Sequence, residues 1–99
     1  MNSKTHDALL CLARNPDDSD AMITVYEENR DAIHAAFRRW IGGRKHKNYV
    51  EVGVMVQVCR TAHLFDPKKY QAETWVFQCA NAYCWDFRMK LQNESAWKN

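Results

Sequence analysis

Glycine and proline are scarce in this 99-residue chain, which contains three and two of them. So few turn-forming residues argue against a turn-rich all-β protein and favour helices. No apolar run approaches the roughly 20 residues that cross a bilayer, and the first residues, MNSKTHDALL, lack the apolar core and cleavage site of a signal peptide. We therefore expect one cytoplasmic domain that spans residues 1–99 and has no membrane partner.

The chain also lacks the spacings that assemble metal sites and catalytic sites. None of the four cysteines form a C-x-x-C pair, and Cys79 and Cys84 are an awkward five residues apart for ligands on one helix. Reduced core thiols are the favoured interpretation, and a zinc site that includes His46 or His63 is the alternative. No spacing joins a nucleophile to a base. We therefore expect no metal, no cofactor and no enzymatic activity.

Hydrophobic periodicity and capping residues predict four helices. They are expected at about Thr5–Arg14, Ser19–Ile41, Asn48–Leu64 and Gln71–Gln92. Asn15-Pro16 ends the first helix and Gly42-Gly43 ends the second. The tail, residues 93–99, is expected to fray, with docking of Trp97 as the alternative. The predicted fold is a compact all-α domain of four helices, of which three are long and the N-terminal one is short.

The third predicted helix carries a pattern that points the other way. Valine occupies every second position over nine residues, at Val50, Val52, Val54, Val56 and Val58. Period two in β-branched residues is typical of a strand, and Gly53 would weaken a helix by about 1 kcal/mol relative to alanine. A lone strand among helices would leave its backbone groups unpaired. We therefore expect a helix, a choice that the family resemblance below also favours.

The last predicted helix has two contrasting faces. Apolar residues at spacings of three and four form one stripe, namely Val76, Cys79, Ala80, Tyr83, Cys84 and Phe87. The opposite face carries Gln78, Asn81, Trp85 and Arg88. Two interpretations of Trp85 stay open: it stacks on a base, or the tail or the first helix covers its ring. Trp75 borders the apolar stripe and is expected to be a core anchor.

Three stretches of the chain follow the patterns of one protein family, in register and without gaps. They read AMITVYEENRDAIHAAFRRWIGG (residues 21–43), RTAHLFDP (residues 60–67) and WVFQCANAYCWDFR (residues 75–88). The family patterns are of the kind A-F-x-x-L-Y-x-x-Y-x-x-x-L-x-x-F-A-x-R-x-L-G, R-x-x-x-x-F-D-P and W-L-Y-R-I-A-R-N-L-C-L-D-x-L-R. The chain therefore resembles region 2 of bacterial sigma factors of the sigma-70 family, in particular the extracytoplasmic-function (ECF) group.

This resemblance implies a compact helical domain that acts in transcription initiation. It implies that the third helix docks on the β′ clamp coiled coil of the RNA polymerase core, with contacts from Tyr49, Val50, Glu51, Val52, Gln57 and Arg60. It also implies that the fourth helix and the loop before it capture the non-template single strand of the promoter −10 element. The residues expected along that strand are Lys68, Lys69, Gln78, Asn81, Trp85 and Arg88. Stacking rings, amides and backbone cations are the groups that such a strand requires.

Both expected contact surfaces depart from the family patterns. The clamp motif D-L-V-Q-E is replaced by Tyr49-Val50-Glu51-Val52-Gly53, and the R-N pair of the fourth helix is replaced by Asn81-Ala82. A preceding arginine is replaced by Gln78, and lost positive charge weakens phosphate binding and its salt dependence. The alternative function is therefore a sigma-like protein–protein interaction module that no longer reads promoters. Its partner would be an anti-sigma factor, another regulator or a separate −35-binding subunit.

Overall fold

The computed structural model describes residues 2–98, with side chains described for residues 2–94. Its four α-helices are α1 (Lys4–Arg14), α2 (Ser19–Trp40), α3 (Lys47–Thr61) and α4 (Ala72–Lys98), and a 3₁₀ turn (Ala62–Leu64) follows α3. No strand occurs in this range, so the predicted all-α, four-helix domain is confirmed. Among residues 2–98, no helix is both long enough and apolar enough to cross a bilayer.

Capping groups and glycines set the ends of the first two helices. The side chains of Ser3 and Asp18 each accept a hydrogen bond, at 3.1 Å, from the amide three residues further on. Such N-caps satisfy amides that the helix itself leaves unpaired. Beyond α2, Gly42 and Gly43 adopt φ values of +73° and +74°, a left-handed conformation that glycine accepts without strain.

The last helix is longer than predicted, because α4 continues past Gln92 to Lys98. Residues 93–98 read NESAWK and include no glycine or proline, so nothing in the sequence stops the helix at Gln92. Fraying of residues 93–99 stays a prediction. The proposed docking of Trp97 lies outside the described side chains.

One hydrophobic core joins all four helices. Its fully buried side chains include Leu9, Leu12, Val25, Ile33, Val50, Val54, Val58, Val76 and Cys84. Trp75 is only 8% exposed and its ring centroid lies 5.7 Å from that of Phe65, so the predicted core anchor is confirmed. Cys59 and Cys84 are buried free thiols, and burial raises the pKa of Cys84 to about 11. No cluster suited to a metal ion occurs among the described residues.

The alternating valines of α3 form two stripes on one helix. Val50, Val54 and Val58 are four residues apart and fully buried, whereas Val52 and Val56 are 64% and 43% exposed. Every second residue of a helix falls alternately on two nearly opposite faces, because positions four apart share a face. The predicted helix is therefore confirmed, and the strand-like pattern reflects one buried and one exposed stripe.

Gly53 has a packing role at the crossing of α3 and α4. A Cβ atom at this position would overlap the hydroxyl and ring of Tyr83. The glycine lets α4 place a tyrosine ring directly against the backbone of α3. Its low helix propensity is thus compensated by close packing between the two helices.

Candidate nucleic-acid interface and apolar groove

The outward face of α4 presents three of the predicted DNA-binding residues to solvent. Gln78, Trp85 and Arg88 are all exposed, and their spacings of seven and three place them on one side of the helix. Trp85 is 47% exposed. Within the described side chains the ring is not fully covered, so it has a surface on which a base could stack, and stacking itself stays a prediction.

Asn81 lies on the same side of α4 but is half-buried, because it has a partner on α2. Its Oδ1 atom accepts a hydrogen bond of 2.9 Å from Nε1 of Trp40. The guanidinium carbon of Arg39 in turn lies 5.0 Å from the Trp40 ring centroid, a cation–π arrangement. No sequence pattern predicts this contact, since 41 positions separate Trp40 from Asn81 and no local spacing relates them.

Lys68 and Lys69 lie in the turn that precedes α4. The Asp66 carboxylate accepts a hydrogen bond of 2.9 Å from the Lys68 amide, and the Asp66 carbonyl accepts one of 3.0 Å from the Lys69 amide. Both lysine side chains are exposed, and neither forms an ion pair within the described part of the chain. At 1.5 Å per helical residue, about 20 Å of α4 separates this turn from Trp85. A single ligand that contacts both must be extended.

Four of the six predicted polymerase-binding residues are exposed, as a contact surface requires. They are Tyr49, Val52, Gln57 and Arg60. Val50 is fully buried and has no surface for a partner, so its predicted contact is corrected: Val50 is a core residue. Glu51 is only 9% exposed and points to α2, so its predicted role at the surface is corrected as well.

Glu51 joins α3 to α2 through a small buried polar cluster. Its Oε2 atom accepts a hydrogen bond of 2.8 Å from the Tyr26 hydroxyl. Its Oε1 atom lies 2.7 Å from Nε2 of His34, at ion-pair distance but outside hydrogen-bond geometry, and neither atom has another partner among the described residues. The hydrogen bond to Glu51, together with burial, raises the pKa of Tyr26 above its usual value of 10. A lone carboxylate in a valine-rich helix was the available signal for this cluster.

An apolar groove of about 630 Å³ lies between α2 and α3, next to this cluster. Its apolar lining comes from Met22, Ile23, Val52, Met55 and Val56. Ile23 is 51% exposed, and with the two outer valines of α3 it forms an uncovered apolar surface. Glu27 and Arg30 also line the groove, so charges of both signs accompany the apolar groups. Such a mixture is typical of protein-binding surfaces.

Comparisons with known proteins yielded no match to a family model, a curated protein or a solved structure. The resemblance to sigma region 2 therefore rests on the three sequence stretches, in an all-α fold. The two surfaces described above supply the chemistry from which a function is inferred.

Proposed function

We propose that this domain acts in transcription initiation as a sigma region 2-like module that binds single-stranded promoter DNA along α4. The observation that carries the proposal is the exposed ring of Trp85 between Gln78 and Arg88. An aromatic ring stacks on a base of any identity, an amide reads the edge of a base, and a guanidinium pairs with a phosphate. The ring, the amide and the guanidinium all lie on the same face of α4.

The extended shape of this surface also favours a single strand. Lys68 and Lys69 stand at one end of α4 and Arg88 stands about 24 Å along the helix from its first residue. A single strand can follow such a line because its backbone is flexible, and its bases are free to stack. Phosphate contacts from these three cations alone would contribute about −2 to the slope of log K against log salt.

Replacement of the exposed tryptophan tests the proposal. The Kd for a fluorescein-labelled single-stranded oligonucleotide of −10-like sequence is measured by fluorescence anisotropy at low salt. We expect Trp85→Ala to weaken binding roughly 5- to 150-fold, the equivalent of one stacked base at about 1–3 kcal/mol. Trp85→Phe should lose less, because it keeps a ring.

Leu64→Ala is the matched control, since Leu64 is 64% exposed on the 3₁₀ turn and has no place in the proposed surface. The control should bind as the wild type does. Equal affinities for the wild type and Trp85→Ala would contradict the proposal.

A second function, docking on a protein partner through α3, is favoured by the apolar groove. Ile23, Val52 and Val56 are exposed together, and burial of such groups is worth about 25 cal/mol per Å². In the sigma-like role this partner is the β′ clamp coiled coil of the RNA polymerase core. In the alternative role it is an anti-sigma factor or a separate −35-binding subunit.

A binding experiment with the purified β′ clamp distinguishes between the two candidate partners. We expect Val52→Glu to abolish capture of the clamp, because a carboxylate would be placed in the apolar groove. Leu10→Glu, a change at a 37% exposed site on α1, should leave capture intact. Failure of the wild-type domain to bind the clamp would remove the polymerase from this proposal, and equal capture by Val52→Glu would remove the groove.

A further inference from the structure

The outward face of α4 is short of positive charge for a helix proposed to follow phosphates. Between residues 72 and 94, α4 as a whole has two cations, Arg88 and Lys90, and three carboxylates, Glu73, Asp86 and Glu94, and Lys98 brings the net charge of the helix only to zero. Phosphate binding depends on cations that displace the counterions of the strand. Cations from another element are needed if this face is to hold a single strand.

The segment from the end of α2 to the start of α3 is, by contrast, strongly positive. Residues 38–47 read RRWIGGRKHK, with five cations and no carboxylate. Arg38, Arg39, Arg44, Lys45 and Lys47 are all exposed. None of them forms an ion pair within the described part of the chain. This basic segment is thus a cluster of positive charge without ion pairs, which runs from the end of α2 to the start of α3.

Two contacts fasten this basic segment to α4. Near its start, Nε1 of Trp40 donates to Oδ1 of Asn81 at 2.9 Å. Near its end, the His46 ring packs edge-on against Phe87, which lies on the apolar stripe of α4 and not on the face of Trp85, with centroids 5.3 Å apart. Asn81 is one helical turn from Trp85, so the first contact places Trp40 beside the centre of the proposed DNA surface.

The contacts of Trp40 position the Arg39 cation and orient the side-chain amide of Asn81. Arg39 lies over the Trp40 ring at 5.0 Å and is exposed, so its charge stays available to a ligand. An indole nitrogen is only a donor, so the oxygen of Asn81 must face Trp40, and its NH₂ group remains for a ligand acceptor. Trp40 is therefore a positioning residue for Asn81.

We propose that the basic segment 38–47 forms the phosphate-binding wall of the single-strand surface, with Arg39 beside the centre of α4. This inference rests on the proposed function of α4 and names a second element of the same site. The ligand chemistry is the sugar–phosphate backbone of a single strand, whose bases stack on Trp85. The charge that α4 lacks is thus supplied from α2 and the loop after it.

The salt dependence of binding tests this inference apart from affinity. The Kd for the labelled oligonucleotide is measured by anisotropy from 50 to 300 mM salt for the wild type, Arg39→Ala and the triple variant Arg39→Ala/Arg44→Ala/Lys45→Ala. Each lost phosphate contact should reduce the slope of log K against log salt by about 0.7. We expect a reduction of about 0.7 for the single variant and about 2 for the triple variant. Arg14→Ala, at an exposed arginine on α1, is the control and should keep the wild-type slope.

The outcomes distinguish this inference from the function on which it rests. Loss of binding in Trp85→Ala with an unchanged slope in both arginine variants would overturn the phosphate wall and keep the α4 surface. A slope that falls equally in Arg14→Ala would also overturn it, because the effect would then come from net charge alone. Absence of any binding by the wild-type protein would overturn both.

Discussion

The outward faces of α3 and α4 are built on the same core and yet differ in every chemical property that a partner would sense. On α4, an exposed ring is accompanied by amides and a guanidinium, and a basic segment lies alongside. On α3, the exposed apolar residues are Tyr49, Val52 and Val56, and the two valines border a groove. The inner stripe of a helix is set by the core, so the outer stripe is free to match a ligand. The two proposed partners, a single strand at α4 and a protein at α3, would require two different outer stripes of this kind.

The contacts beneath the two faces also differ. Under the polar face of α4 lie apolar groups such as Val76 and Cys84, both fully buried. Beside the apolar groove of α3 lies the polar cluster of Tyr26, His34 and Glu51. The position of α3 on α2 therefore depends on polar contacts in addition to its buried valines, whereas that of α4 depends mainly on apolar packing. Each prediction below tests one side of this difference, from the largest expected effect to the smallest.

Removal of the Glu51 carboxylate should cause the largest loss of stability. Glu51→Ala leaves the Tyr26 hydroxyl and His34 Nε2 without their partner. We therefore expect it to lower the free energy of unfolding by about 3 kcal/mol. Glu51→Gln keeps an acceptor for Tyr26 and should lose roughly half as much. Urea unfolding followed by circular dichroism measures both. A loss below about 0.5 kcal/mol for Glu51→Ala would mean that the cluster does not hold α3 in place.

The second largest expected effect is the difference in stability loss between the buried and the exposed valines of α3. Val54→Ala opens a cavity at a fully buried site and is expected to lower the free energy of unfolding by about 2 kcal/mol. Val52→Ala removes the same atoms from a site that is 64% exposed and should change it by less than about 0.5 kcal/mol. The same urea experiment compares them. Equal losses at the two sites would contradict the division of the valines into a buried and an exposed stripe.

The valines also show how much of the structure can be predicted from the sequence. Period two alone predicts a strand, whereas the lack of a pairing partner for a single strand favours the helix that is observed. The residues that line the core, such as Trp75, followed from spacing on one helix. Spacing on one helix could not predict the pairing of Trp40 with Asn81 or of Glu51 with Tyr26, because the two members of each pair lie on different helices. Their meeting depends on how the helices cross, which no local pattern encodes.

The hydrogen bond between α2 and α4 should contribute a smaller amount. Trp40→Phe keeps an aromatic ring but removes the Nε1 donor from Oδ1 of Asn81, and we expect a loss of about 1 kcal/mol. Trp85→Phe is the control, since the Trp85 indole makes no hydrogen bond among the described residues and is 47% exposed. Thermal unfolding of the two variants should show a lower Tm for Trp40→Phe. A Tm equal to that of Trp85→Phe would show that the bond does not stabilise the contact.

The smallest expected effect is the alkaline response of the polar cluster beside the groove. The hydrogen bond to Glu51 raises the pKa of Tyr26 above 10, so the folded protein holds this proton more tightly than the unfolded chain does. The stabilisation is therefore complete below about pH 10 and is lost as the pH rises through the folded-state pKa. We expect the stability advantage of the wild type over Tyr26→Phe, measured by urea unfolding at pH 8, 9.5 and 10.5, to shrink by a few tenths of a kcal/mol.

Other buried groups whose pKa is raised, such as Cys84 and Tyr83, are present in both proteins and cancel in the difference. Curves that stay parallel up to pH 10.5 would show that Tyr26 does not depend on the Glu51 carboxylate. Curves that converge in Glu51→Gln as strongly as in the wild type would assign the shift to the hydrogen bond and to burial instead of to the charge, because the amide keeps the hydrogen bond but not the charge. Convergence that needs the carboxylate would instead locate the electrostatic link between α2 and α3 at this one pair, beneath the face on which a protein partner is expected to dock.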